Sequence, residues 1–167
     1  MTFNYKKIIY YTLWIIGLAV IQSTLLQYAA ILGVIPNLFV VFVVCAAIMS
    51  GSPMESAGIG LILGFLMDFM IGRIIGVNML LLMYAGVFNG LLFQRILTGK
   101  FLGVFATVFV TSLVCAFLYY SMNFMMWGQG DLGYAFVWVM LIESAYSAII
   151  AVPFYWLVKK GYRKNYV

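Results

Sequence analysis

The sequence predicts an all-α integral membrane protein, a compact bundle of about six transmembrane helices. Of the 167 residues, 66% are hydrophobic and only 8% are charged, and the mean hydropathy is +1.13. Such a chain has too little polar surface to cover a water-soluble protein, so we expect lipid to be its solvent. Because hydrocarbon cannot hydrogen-bond backbone groups, spanning segments must be helices or a closed barrel. Long apolar runs without period-two alternation favour helices.

Six apolar segments follow one another along the chain, and most reach the roughly 17–25 residues that a bilayer requires. They cover residues 8–26, 34–50, 54–71, 74–93, 101–122 and 134–158. The second segment opens at Pro36 and Asn37 and has a short apolar core. A full span and a tilted, partial or re-entrant segment both fit this pattern. Since the connections are short, the sequence predicts one polytopic membrane domain over residues 1–167.

Basic residues indicate the orientation of the bundle. With six spans, the predicted cytoplasmic side collects every lysine and arginine except Arg73, as the positive-inside rule requires. The cytoplasmic set is Lys6, Lys7, Arg95, Lys100, Lys159, Lys160, Arg163 and Lys164. Both termini are therefore predicted to be cytoplasmic. These residues lie at the two ends and in one loop rather than along one soluble face, which argues against a nucleic-acid partner.

The third segment carries a stripe of small residues that ends in a carboxylate. Ser56, Gly60, Gly64, Asp68 and Gly72 follow one another at four-residue intervals, which places them along one inclined face of a helix. Small residues at this spacing allow another helix to approach closely. Packing within the molecule and a face that binds a partner protein are both consistent with the stripe.

Two carboxylates fall inside predicted spans away from their extreme ends, Asp68 and Glu143. An aspartate at the centre of a membrane helix costs about 2.5–3.5 kcal/mol on insertion scales, so each should face protein or water. Asp68 lies five residues before Arg73, so a local ion pair, interfacial exposure and a functional role all remain open. Glu143 lies deeper in its segment, which favours a polar interaction within the bundle.

The sequence offers little that could carry catalysis. It contains no histidine, and Cys45 and Cys115 lie in apolar runs far from any C-x-x-C spacing. Neither a G-x-S-x-G elbow nor an H-E-x-x-H helix occurs. We therefore expect no enzymatic activity, no catalytic residue, no cofactor and no metal. Amide side chains are expected mostly near helix ends, where water satisfies them. They are Gln22, Gln27, Asn37, Asn78, Asn89 and Asn123.

Several short motifs follow one another in a suggestive order. They are Ile35-Pro36-Asn37-Leu38, Gly51, the run Gly64-Phe65-Leu66-Met67-Asp68, Gly76, and Gly86-x-x-x-Gly90. Together they resemble the rod shape-determining protein MreD family, and the resemblance extends over nearly the whole chain. Length, basic termini and the order of the apolar segments fit the family as well. One departure is Asn37, where an acidic residue is more usual; an amide keeps the helix-capping role but loses the charge.

The resemblance implies a non-enzymatic scaffold or regulatory subunit of the bacterial cell-elongation machinery, located in the cytoplasmic membrane. The implied partner is an MreC-like single-span membrane protein, with MreB, RodA and a class B penicillin-binding protein as neighbours. The family is also similar in fold to the S-components of energy-coupling-factor transporters. That similarity leaves an alternative open, a vitamin-binding transport subunit with a site near Asn123, Trp127 and Asp131, because a shared fold does not decide function.

Under the scaffold hypothesis, a small set of residues would bind the partner or hold the structure. They are Pro36, Asn37, Gly60, Gly64, Asp68, Gly72, Arg73 and Glu143. We expect Pro36 and Asn37 to shape the start of the second span and the glycines to provide close packing. Asp68 would make a polar contact, and Glu143 would tie the sixth span to the bundle.

Overall fold

The structure, a computed structural model, describes residues 5–25, 34–70, 75–96, 101–127 and 139–166. These residues form six α-helices, and the all-α class is confirmed for this part of the chain. The helices are α1 (Tyr5–Val20), α2 (Leu38–Ser50), α3 (Pro53–Met70), α4 (Val77–Ile96), α5 (Phe101–Trp127) and α6 (Leu141–Tyr166). Helix α1 continues into a π-helical turn over Ile21–Leu25.

Three helices within the described residues are long and apolar enough to cross a membrane. They contain the segments Pro53–Met70, Leu102–Met125 and Leu141–Lys160. Three further apolar helical segments are shorter, and they cover Ile9–Thr24, Leu38–Ser50 and Val77–Leu92. The chain is therefore a helical protein with at least these candidate spans, and the full set of six spans stays a prediction.

Helix α2 occupies the centre of the bundle. All eleven residues from Leu38 to Ile48 are buried, and the most exposed of them, Ile48, shows only 7% of its surface. A helix that is apolar on every side is stable only where neighbours cover it all round. Helices α3, α4, α5 and α6 do so, and the Phe42 ring contacts Tyr11 and Trp14 of α1. The segment that the sequence left uncertain is thus the core helix.

A tight connection joins α2 to α3. Gly51 ends α2 with a left-handed backbone (φ 58°), and its N–H donates to the carbonyl oxygen of Ala47 at 3.2 Å. Glycine adopts this conformation without the steric penalty that a side chain brings. Pro53 follows at the first position of α3, where a missing N–H costs nothing because that group has no partner inside the helix. The chain therefore reverses within Gly51 and Ser52.

Small residues bring α3 and α4 into backbone contact. A Cβ added to Gly60 would overlap the carbonyl oxygen of Leu82, and one added to Gly64 would overlap the backbone of Asn78 and Met79. The contact is reciprocal. On α4, Gly86 and Gly90 face the α3 backbone in the same way, at Ser56 and Pro53. The antiparallel pair is therefore packed along its length through glycine, as close helix approach in membranes requires.

This packing decides between the two interpretations of the small-residue stripe. Ser56, Gly60, Gly64 and Asp68 are buried, and α4 covers the three small residues of this set. The stripe therefore serves packing within the chain over these positions, and our alternative that it forms a face for a partner is wrong there. Gly72, its last member, lies outside the described residues.

We expect Gly64→Ala to destabilise the protein by about 2 kcal/mol, because the added methyl group must push apart two backbones. The matched control is Gly58→Ala on the same helix, since a Cβ at Gly58 meets no atom within 4 Å. Thermal unfolding of the purified protein in detergent should show a fall in Tm of roughly 5 °C for Gly64→Ala. Equal Tm values for the two variants would contradict the close packing.

Candidate functional site

Polar side chains gather at one end of the bundle, where α2 and α4 begin and α3 ends. The loop charges predict this end to be the outer one, and we call it the outer end. Its first feature is the start of α2, held by the buried side chain of Gln22. The Gln22 amide donates to the carbonyl oxygen of Pro36 at 3.2 Å and accepts from the N–H of Leu38 at 3.1 Å. The end of α1 thereby hydrogen-bonds the first residue of the core helix.

Asn37 completes the hydrogen bonding at the start of α2. Its Oδ1 accepts from the N–H of Val40 at 3.3 Å, so Asn37 is the N-cap of the helix. Its own N–H donates to the Oγ of Ser147 on α6 at 3.0 Å. The first N–H groups of a helix have no partner within it and are costly to bury unpaired. Here they are satisfied by groups from α1, α2 and α6 together.

Asp68 performs the same task for α4. Its Oδ2 accepts from the N–H groups of Gly76 at 2.8 Å and Met79 at 3.0 Å. Its Oδ1 accepts from the N–H of Asn78 at 3.1 Å and from the Asn78 side-chain amide at 2.9 Å. A carboxylate placed at a helix N-terminus also interacts favourably with the helix dipole. A residue at the end of α3 thus caps the next helix.

The position of Asp68 corrects one expectation. The residue is 2% exposed, so the interfacial exposure considered for it is wrong. The four donors that it accepts from are three backbone N–H groups and a side-chain amide. Arg73, considered as an ion-pair partner, lies outside the described residues. The described hydrogen bonds of Asp68 are those of a carboxylate that caps the next helix.

A cavity of about 160 Å³ with several polar residues in its wall lies beside these caps. Helices α2 to α6 all contribute to its wall, and we call it the central cavity. Its polar lining residues are Asn37, Asn78, Ser112, Tyr119, Tyr120 and Glu143. Polar groups that are scattered in sequence therefore converge in space. No signal in the sequence could have identified Ser112 or the two tyrosines as members of this cluster.

The buried amides also correct the sequence analysis. Gln22, Asn78 and Asn89 are buried rather than hydrated at helix ends. Asn89 joins α4 to α5 through a reciprocal pair with Thr111, with distances of 3.1 and 3.2 Å. Asn123, proposed for the vitamin site, donates to the carbonyl oxygen of Tyr119 in its own helix. The side chain of Trp127 and all of Asp131, the other residues of that site, lie outside what the structure describes.

Glu143 lies on the wall of the central cavity. Among the described residues, no hydrogen bond or ion pair reaches its carboxylate, so its expected role in tying the sixth span to the bundle stays a prediction. The tie between α6 and the rest of the outer end is made one turn further on, by Ser147. Ser112 is 4% exposed, and its buried Oγ has no hydrogen-bond partner among the described residues.

An apolar groove runs along the surface between α4 and α5. It consists of two adjoining cavities of about 470 Å³ each, which share Leu81, Tyr84 and Leu118. The groove exists because these two helices touch far less than α3 and α4 do. Asn89 and Thr111 lie on its lining, so its largely apolar surface contains one partly buried polar pair. An apolar groove of this kind suits binding of an apolar ligand or of another helix. The sequence-based expectation that the protein is not an enzyme stays a prediction.

Comparisons with known proteins add one finding. A family model described as rod shape-determining protein MreD matches residues 5–165. No curated protein and no solved structure matches the chain. The assignment therefore rests on the family model, which covers almost the full length of the chain. The similarity in fold to the S-components of energy-coupling-factor transporters stays a prediction.

We expect Asn37→Ala to destabilise the protein by about 1 kcal/mol, because the core helix loses its N-cap. The matched variant is Asn37→Ser, which retains a side-chain oxygen that can accept from the N–H of Val40. Thermal unfolding in detergent should place Asn37→Ala below the wild type and Asn37→Ser close to it. Equal losses for both variants would show that the amide acts through something other than capping.

We expect Asp68→Asn to cost about 2 kcal/mol, because a charged acceptor shared by several donors is replaced by a neutral amide. The comparison variant is Arg73→Gln, for which capping predicts a change below about 0.5 kcal/mol. Both are measured by thermal unfolding under the same conditions. Equal losses for the two variants would instead support the ion pair between Asp68 and Arg73.

Proposed function

The chain belongs to the MreD family of rod shape-determining proteins, and from this premise we propose that it is a non-enzymatic scaffold of the bacterial cell-elongation machinery. In this proposal it crosses the cytoplasmic membrane several times, with both termini in the cytoplasm. It binds an MreC-like single-span protein through a helix face, in an assembly that includes MreB, RodA and a class B penicillin-binding protein. The family match over residues 5–165 is the observation that carries the proposal.

The structure limits where such a partner can bind. The glycine face of α3 is covered by α4, and α2 is buried on all sides. Within the described residues, outward-facing surfaces remain on α1, α3, α4, α5 and α6, and we propose that the partner uses one of them. In a membrane these surfaces all face lipid, so exposure alone does not distinguish a docking site from an ordinary lipid contact.

We assign the partner helix to the groove between α4 and α5. On α4 the lining extends from Val77 to Leu91, or about 21 Å at 1.5 Å per residue. That length is about two thirds of the roughly 30 Å of the hydrocarbon core, which a single-span helix must also cross. The groove therefore suits the transmembrane segment of an MreC-like protein better than it suits a soluble partner.

Packing supplies the driving force for this association. Lipid tails are as apolar as leucine side chains, so helices gain little from leaving lipid unless they fit closely. A groove between two helices that make few contacts with each other offers contact on two sides, whereas a flat lipid-facing surface offers contact on one. Tyr84, Phe88 and Val114 are exposed on the groove and supply much of its contact area.

We expect Val114→Trp to reduce recovery of the MreC-like partner roughly tenfold, which corresponds to about 1.4 kcal/mol of binding free energy. A bulky ring at Val114 would fill the groove and displace the incoming helix. The matched control is Ile62→Trp on α3, because Ile62 and Val114 are 49% and 47% exposed and both are β-branched. Tagged protein is purified in mild detergent, and the partner is quantified by mass spectrometry.

Two outcomes would contradict this proposal at different levels. Equal recovery with Val114→Trp and Ile62→Trp, both at the wild-type level, would exclude the groove as the docking face. Failure to recover any MreC-like or wall-synthesis protein with the wild type, from cells that express them, would count against the scaffold function itself.

A further inference from the structure

We propose that the central cavity is a binding site for a small monovalent cation, held by the carboxylate of Glu143 and by hydroxyl and amide groups around it. The cation is an alkali ion with a few waters or a small primary ammonium ion. This site lies between helices α2 to α6 and adjoins the groove between α4 and α5, with which it shares Leu81 and Cys115. Its polar lining residues are not part of the groove, so the inference does not depend on the proposed partner.

The first argument is the set of groups on the cavity wall that have no partner. The buried Oγ of Ser112 has no hydrogen-bond partner among the described residues. The half-buried side chain of Glu143 lies on the same wall and has no hydrogen bond or ion pair to a described residue. Buried polar groups in native proteins are nearly always paired, with protein atoms or with bound molecules. An unpaired hydroxyl beside a carboxylate therefore indicates that something polar occupies the cavity.

The second argument is the kind of group that remains available. Asn78 donates one of its two side-chain N–H groups to Asp68, so its amide oxygen remains available as an acceptor, together with the second N–H. The carboxylate of Glu143 and the hydroxyl oxygen of Ser112 are further acceptors on the same wall. Oxygen acceptors that include an anion favour cations, which accept lone pairs or donate N–H groups.

The third argument is charge balance. A carboxylate inside a membrane bundle is stable only if it is neutralised or paired. Among the described side chains, the basic ones are Lys159 and Lys160, which lie on α6 about 24 Å further along the helix than Glu143. No described cationic side chain is therefore available to Glu143, whereas a bound cation would supply the missing charge.

Size and charge number select a monovalent cation. A volume of about 160 Å³ corresponds to about five water molecules at roughly 30 Å³ each. This space holds an alkali ion with part of its hydration shell, or methylammonium. Divalent ions prefer several carboxylates, and no group of three histidine, cysteine or acidic residues lies together among the described residues.

The test measures thermal unfolding of the purified full chain in detergent, at fixed ionic strength, in different chloride salts. Sodium, potassium and methylammonium are compared with N-methylglucamine, which is too large for the cavity. We expect at least one small cation to raise Tm by roughly 3 °C, saturably with concentration. The cation that raises Tm shows whether the site binds an alkali ion or a small primary ammonium ion. Equal Tm values in all four salts would overturn the proposal.

Variants assign the effect to the cavity. Glu143→Gln should abolish the cation-dependent rise in Tm, and Ser112→Ala should raise the half-saturating concentration several-fold. The matched control is Glu55→Gln, an exposed carboxylate at the start of α3, which should keep the wild-type response. A rise that persists in Glu143→Gln would overturn the proposal. If Glu143→Gln does not fold, Ser112→Ala decides, and an unchanged half-saturating concentration counts against the site.

Discussion

The fold depends on one constraint, which is that a helix buried on all sides must still have its terminal backbone groups hydrogen-bonded. Helix α2 is covered from Leu38 to Ile48, so water and lipid cannot serve its first N–H groups. Gln22 and Ser147 reach it from the end of α1 and from α6, and Asn37 caps it from within. The core helix can therefore be buried only when α1 and α6 are in place to hydrogen-bond its first residues. Burial of α2 and assembly of the helices around it thus depend on each other.

Close packing and helix capping also shape the neighbouring pair, α3 and α4, and the groove and central cavity beside it. Glycine contacts bring α3 and α4 together along their length, and Asp68 closes the pair by capping α4. Because α4 packs closely on α3, and α5 packs mainly on α6, α4 and α5 make few contacts with each other. Their separation leaves an apolar groove on the surface and, beside it, a cavity with several polar residues in its wall. The protein therefore offers one surface suited to a helix and one interior space suited to a small polar ligand.

For a member of a shape-determining family, the contrast between closely packed helices and the open groove and cavity has a functional consequence. The core helix and the α3–α4 pair make close contacts within the chain. The groove offers open apolar surface, and the central cavity contains the unpaired hydroxyl of Ser112. Binding is expected at such places, because a partner or ligand gains there the contacts that the chain does not make with itself.

Composition and spacing alone determined the helical membrane class, the family resemblance and the closely packed character of the stripe from Ser56 to Asp68. Those properties follow from local sequence, since apolar run length and four-residue spacing act within one helix. The tertiary structure alone decided which helix covers the stripe, that the short second segment is the core, and that Asn37, Ser112 and Glu143 share a cavity. Those properties depend on contacts between residues up to about a hundred positions apart, such as the bond between Asn37 and Ser147. The spacing of residues within one segment carries no information about which other segment will lie against it, so the sequence could name Asp68 and Glu143 but not their surroundings.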